Sequence, residues 1–308
     1  MTDQPPKSCD PTGKESGPRQ EGRVGEADGS RLTLIESRAT WRTLDLAELW
    51  RYRELLYFFA WRHIKVRYKQ TELGAAWAVI QPLVTTGVFA MLFGLLMAGH
   101  EPTIPEVPYV VSTFCAMLAW QLFAESLARS GDSLIDAQHL ITKVYFPLVL
   151  LPLSAVMTAL VDFAIAAAVL AGMIVWCGIA PTWTVLAFPL FVLLAVATSL
   201  AVGLWLAALS AVYRDFRFVR PFLIALGMYV SPVIYTTASL RPKLPDWALL
   251  VYGLNPMAGA IEGFRWALFA KAEPPWPVLV PSVLTAAAVL LGGLRFFHRM
   301  ERTIVDVI

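Results

Sequence analysis

The chain has 308 residues, 57% of them hydrophobic and 16% charged, with 11 Trp, 17 Phe and a formal net charge of +2. It is too apolar for one soluble core and has too few charges to cover one, which excludes an ordinary soluble domain and points to an all-α polytopic membrane protein. Cys9, Cys115 and Cys177 are odd in number and far apart, with no CxxC spacing, so neither a disulfide framework nor a metal site is expected.

Residues 1–40 contain four Pro, five Gly, seven acids and six bases, and almost no aliphatic residue before Leu32. Such a tail cannot bury enough surface to fold and is expected to be disordered. It lacks the apolar stretch of a signal peptide, so no cleavage is expected and the first spanning helix serves as the membrane address.

An amphipathic segment follows at about 41–72. Leu49, Tyr52, Leu56 and Phe59 share one helical face, while Arg51, Glu54, Arg62, Lys65 and Lys69 lie opposite. A helix of this kind can rest in the headgroup layer with its aromatics down and its bases toward anionic phosphates.

Six spans are expected, at about 74–98, 109–127, 148–175, 183–211, 221–240 and 277–294. Pro82 falls inside the first and should kink it. Glu125, Arg129, Asp132, Asp136 and Lys143 mark a polar connection after the second, part of it a short helix along the membrane. Between Val144 and Val212 the only charge is Asp162, and the run is far too long for one crossing, so the chain must turn at about 177–181. The segment at about 245–273 is too short and too broken by Asn255 and Pro256 to span; a re-entrant pair of short helices fits it better. Fourteen bases in the expected inner segments against four in the outer loops place both termini in the cytoplasm, including the C-terminal 301–308.

No phosphate-binding glycine motif and no catalytic Ser, His and Asp arrangement is legible, so this chain is read as a transporter rather than an enzyme. Its energy source must then lie elsewhere. The runs WRHIKVRYKQTELGAAWAVIQP (61–82), ITKVYFPLVLLPLSAVMTALVDF (141–163), YRDFRFV (213–219) and GLNPMAGAIEGFRWALF (253–269) resemble the permease subunit of ABC-2 type polysaccharide exporters, and the ending MERTIVDVI is similar to that family's. The likeness covers nearly everything after about residue 45; the first 40 residues match no motif.

The resemblance implies a homodimer in the bacterial inner membrane, paired with two copies of a separate ATPase that uses ATP and Mg, with no cofactor on this chain. Its substrate class would be a polyprenyl-pyrophosphate-linked glycan such as O-antigen, capsule or teichoic acid, with the lipid bilayer as a further partner and no nucleic acid. ATPase coupling is expected in the connection 129–146, with Asp132, Asp136 and Lys143, the alternative being a solvated turn. Tyr213, Arg214 and Asp215 would close the inner end of spans four and five, or simply anchor it.

Arg62, Lys65, Arg67 and Lys69 either capture a pyrophosphate headgroup or bind anionic lipid. Trp77, Phe89, Phe93, Trp120, Phe123, Tyr229 and Tyr235 are candidates for a conduit where sugars stack on rings; interface belt and packing compete for the same residues. Asp162 would face a pore or bond a neighbouring span. Asn255, Pro256, Glu262 and Arg265 are assigned to an outer gate, with Glu262 and Arg265 on one helical face. The other classes weighed are a small-molecule or drug permease of ABC-2 type, an ion-driven secondary transporter and a membrane glycosyltransferase. Ion-driven carriers usually show internal repeats and several intramembrane acids, whereas this chain shows no repeat and only Asp162.

Overall fold

The computed structural model describes residues 50–69, 74–96, 107–240, 245–269 and 274–307. The tail 1–40, the start of the amphipathic segment at 41–49, the loop 97–106, and the bases Arg241, Lys243 and Lys271 lie outside the described residues, as does the side chain of Phe93. All regular structure among the described residues is helical.

Helix α1 (Arg53–Lys69) is the amphipathic segment. Its apolar face turns toward protein and not lipid: Phe59 is buried against Phe146, ring centroids 5.5 Å apart, in a cluster that includes Leu148, Leu204, Phe297 and Ile304. Tyr52, Leu55 and Leu56 flank that cluster. Tyr57, Phe58 and Trp61 of the same helix are exposed. Lys65 Nζ lies 5.7 Å from the Trp61 ring, a cation over a π face at an apolar surface.

Helix α2 (Gly74–Leu96) is charge-free and has Pro82 buried inside it. Helix α3 (Tyr109–Asp136) is the central post of the bundle and runs well past the expected end of the second span. Its charged residues therefore belong to the helix, and the connection that follows is only a one-turn helix, α4 (Gln138–Ile141). Helix α5 (Leu150–Trp176) ends where the sequence requires. Gly178 takes φ 68°, its N–H bonds Val175 O, and Ile179 N–H bonds Ile174 O, a left-handed stop that a residue with Cβ would resist. A short 3-10 turn (Trp183–Ala187) leads into α6 (Phe188–Val212).

The expected fifth span is not one helix. Helix α7 (Phe216–Val230) stops after 15 residues, and Ser231 adopts φ −91°, ψ 151°. Pro232 is the cause: it has no N–H to donate and pushes the residue before it out of the helical region. The chain continues through the short helices α8 (Thr237–Leu240) and α9 (Asp246–Tyr252), then α10 (Pro256–Phe269) and α11 (Trp276–Val307). At about 1.5 Å per residue, neither α9 nor α10 could cross a ~30 Å hydrocarbon layer.

Four helices among the described residues are long and apolar enough to cross a membrane: Tyr109–Asp136, Leu150–Trp176, Trp183–Val212 and Trp276–Glu301. Helix α3 packs most extensively on α6 and α5, and α11 lies along the other side of α6. Close approach is possible because small residues sit at the crossings. A Cβ on Gly263 would collide with the Phe191 ring, so α10 can rest on α6 only with glycine there.

Candidate functional site

Three polar assemblies interrupt this apolar bundle, and each ties one irregular or peripheral element to the central post.

The first lies where α1 meets α2, α3 and α5. Arg67 leaves the surface of α1 and places Nη2 3.1 Å from Asp162 Oδ2 on α5. Arg129 Nε donates to Glu125 Oε2 at 3.0 Å one turn away on α3, and its Nη2 stands 3.8 Å from the same Asp162 oxygen. Arg67 Nη1 is also 3.8 Å from Glu125 Oε2. Among the described residues two guanidiniums and two carboxylates thus share one cluster. Beside it Arg67, Gln81, Pro82, Gln121, Glu125 and Asp162 line a cavity of about 30 Å³. Since a water needs ~10–15 Å³ by this measure, the cavity holds about two, enough to solvate charges at this depth.

The second assembly is at the Arg-rich end. Arg220, nearly buried at the start of α7, forms a 2.7 Å pair with Asp132 Oδ2 and donates from Nη1 to Ala128 O at 3.0 Å. Arg217 Nε reaches the other Asp132 oxygen at 3.8 Å. Gly131 makes the seat: a Cβ there would come within 2.7 Å of Arg220 Nη1. Nearby on α1, burial and the Arg62 charge lower the His63 pKa below its usual 6.5, with Asp136 opposing them weakly.

The third staples the break after α7. Arg265, 3% exposed, donates through Nη1 to Pro232 O at 2.7 Å and Tyr235 O at 3.0 Å, and through Nη2 to Val233 O at 2.8 Å. Glu262 Oε1 accepts from Thr237 N–H at 2.9 Å and pairs with Arg265 Nη1 at 3.1 Å. Tyr109 Oη donates to Ile234 O at 3.1 Å. Asn255 Nδ2 donates to Ser231 Oγ at 3.0 Å, while its Oδ1 accepts from Met257 N–H to cap α10. Pro256 occupies the first turn of α10, where its missing N–H costs nothing. Buried unwound backbone must have its polar groups satisfied by protein, and these side chains do so.

The residues singled out from the sequence divide accordingly. Arg62, Lys65 and Lys69 are exposed on α1, whereas Arg67 is drawn inward to Asp162, so the four do not all face one way. Asp132 and Asp136 are on the last turns of α3 and not in a loop; Asp132 is engaged by Arg220, and Asp136 and Lys143 are exposed. Tyr213, Arg214 and Asp215 form an exposed link between α6 and α7.

Trp120 is a correction to the conduit list. It is 4% exposed, with its ring on Phe123 at 5.1 Å between centroids and a carbon of that ring 2.8 Å from where a Gly227 Cβ would stand, so it serves α3–α7 packing. Phe123 is buried beside it, and Tyr235 is held by a 2.9 Å hydroxyl contact with Tyr252. Trp77 and Tyr229 are exposed on the protomer, and Phe89 is half-buried.

The sequence alone marks Arg217 and Arg220 as charges of a basic inner segment, and Glu125 and Arg129 as charges of a polar connection. A signal was available: Glu125, Arg129, Asp132 and Asp136 recur at spacings of four, three and four, one face of a continuing helix.

The ABC-2 type transporter model matches residues 54–269. The O-antigen export system permease protein RfbA of Myxococcus xanthus is 30% identical over 255 residues, 83% of this chain and 95% of the relative. A protein of the same name from Klebsiella pneumoniae is 26% identical over 83% of this chain and 95% of its own length. The capsule polysaccharide export inner-membrane protein CtrC of Neisseria meningitidis serogroup B is 21% identical, covering 78% of this chain and 89% of the relative. The family match takes in all three polar assemblies, from Arg67 to Arg265, and the chain belongs to the ABC-2 type transporter family.

Proposed function

We propose that this chain is the membrane-spanning permease of an ATP-driven exporter that moves lipid-linked, O-antigen-like polysaccharide across the bacterial cytoplasmic membrane. The observation that carries the reading is coverage: relatives named for O-antigen export align over 95% of their own length. A relative named for capsule export aligns over 89% of its own. The chain itself is a translocation subunit, and hydrolysis of ATP with Mg belongs to two copies of a separate ATPase.

Two copies of the permease form the channel. Helix α7 offers them an apolar stripe, with Phe218, Phe222 and Tyr229 exposed at spacings of four and seven residues, the last 62% exposed. Trp77, Phe89 and Tyr229 are the aromatics that would meet the glycan, and Asp162 governs the wall behind them. Helix α2 and the interrupted segment from α7 to α8 complete six crossings, with both termini cytoplasmic, and α9 and α10 form the re-entrant gate at the outer face around Asn255, Pro256, Glu262 and Arg265. At the inner face the ATPase docks against the turn containing α4, with Asp136 and Lys143, and against Tyr213, Arg214 and Asp215. Motion reaches α3 through Asp132. Arg62, Lys65 and Lys69 gather the anionic headgroup at the inner leaflet.

The test is co-purification with a partner ABC ATPase from the same organism, followed by hydrolysis assays with and without lipid-linked glycan. A two-plus-two complex whose turnover responds to the glycolipid supports the reading. A chain that binds no ATPase contradicts it.

A further inference from the structure

We propose that the cleft between α1, α2, α3 and α5 is a receiving site for a phosphate-bearing lipid headgroup, which binds by exchange. Phosphate oxygens take the places that Glu125 and Asp162 now hold on Arg67 and Arg129. This deepens the exporter reading and rests on it.

The geometry requires exchange and not simple addition. Among the described residues two carboxylates face the two guanidiniums, so an arriving anion meets carboxylates already within 3.0–3.8 Å of both. Glu125 is the more accessible competitor, its side chain 34% exposed against 12% for Asp162. Both guanidiniums are a quarter exposed, so each can offer a planar fork to an oxyanion arriving from the open side of the cleft. The Gln81 and Gln121 amides supply further donors at the rim, and the small cavity supplies displaceable water.

On the outward side of α1, Arg62, Lys65 and Lys69 are exposed and raise the local concentration of anionic lipid. Of the Lys and Arg side chains described on that helix, Arg67 is the one drawn to Asp162. The arrangement therefore passes an anion from a diffuse basic surface to a defined pair of arginines.

The experiment is direct binding of tritiated farnesyl phosphate to the full-length protein in maltoside detergent, with farnesol and dioleoylglycerol as uncharged controls. R67Q and R129Q are each expected to weaken binding by about tenfold or more, the size of a charge-assisted contact. E125Q removes the competitor and keeps a partner for Arg129, so it is expected to tighten binding severalfold while eluting as a monodisperse protein. That direction separates exchange from a purely structural cluster, in which E125Q would weaken binding as R67Q does.

Competition with dioleoyl phosphatidic acid identifies the source. Equal displacement assigns the site to ordinary anionic lipid and displacement only by isoprenoid phosphates assigns it to a lipid carrier, and either supports the site. Binding unchanged in R67Q and R129Q, or weakened in E125Q, overturns it. Glycolipid-stimulated hydrolysis by the wild-type complex would persist in that case, so failure here is distinguishable from failure of the exporter reading.

Discussion

Arg265 and Glu262 lie one turn apart on α10, with Arg265 Nη1 3.1 Å from Glu262 Oε1, and the pair serves backbone that no helix serves. Three carbonyls of the 232–235 stretch accept from Arg265, and the first N–H of α8 donates to Glu262. A planar, permanently charged fork suits this task because one side chain must satisfy several oxygens in fixed directions.

Substituting R265K should therefore not be conservative. Lysine keeps the charge but cannot span the carbonyls, and the buried Glu262 and unwound backbone lose partners. A destabilisation of about 3–5 kcal/mol, typical of breaking a buried pair, is expected. Thermal melts of the detergent-solubilised protein check it: R265K should unfold well below wild type, and E262Q, which keeps an acceptor for Thr237 N–H, should lie between them.

At the Arg-rich end, G131A should mimic loss of Arg220. The added methyl would lie 2.7 Å from Arg220 Nη1 and displace it from Asp132 and Ala128 O. Overpacking of this kind costs about 1–3 kcal/mol. Melts and ATPase coupling ratios of G131A and R220A should fall together, with little further loss in the double variant, since both remove one interaction.

Replacing Arg62 and Arg67 by Gln should cut glycan export strongly without impairing membrane insertion. Single variants separate the roles: R62Q should act mainly through a salt-sensitive affinity for anionic lipid, whereas R67Q also removes the tie to Asp162 and should lower thermal stability. Equal behaviour of the two would contradict the division seen in the structure.

The seating of α1 should weaken in mild acid. Burial, and then Arg62, hold the His63 pKa below 6.5, so the neutral ring is the form that fits. The unfolded state then binds the proton first, and stability is fully present above pH 6.5 and is lost as pH falls from there through the lower folded value. Melts of wild type and H63Q at about pH 7.5 and 5.5 check the sign: wild type should lose more.

Much of this was legible beforehand because the signals were local. The left-handed Gly178 stops α5 in the turn expected at 177–181, and the one-turn spacing of Glu262 and Arg265 makes their ion pair. The misreadings share a physical origin. Charges at 125–136 suggested a loop because a charge in a membrane helix is costly, yet Arg67, Arg217 and Arg220 neutralise them from other elements. Tertiary partners of that kind leave no mark in a local window. Trp120 could not be told from a conduit aromatic, because its burial depends on Gly227 more than a hundred positions away. The break at Ser231 was accessible from Pro232 alone, but the apolar run on both sides outweighed it.

As proposed, this chain exports a lipid-linked glycan only in partnership with a separate ATPase. The most direct test is the hydrolysis rate of the co-purified permease and ATPase in lipid, measured with and without polyprenyl-linked polymer. A stable two-plus-two complex is expected, whose hydrolysis changes when the glycolipid is added and does not change with the free polysaccharide. A permease that forms no complex with the ATPase, or a complex indifferent to the glycolipid, would contradict the proposal.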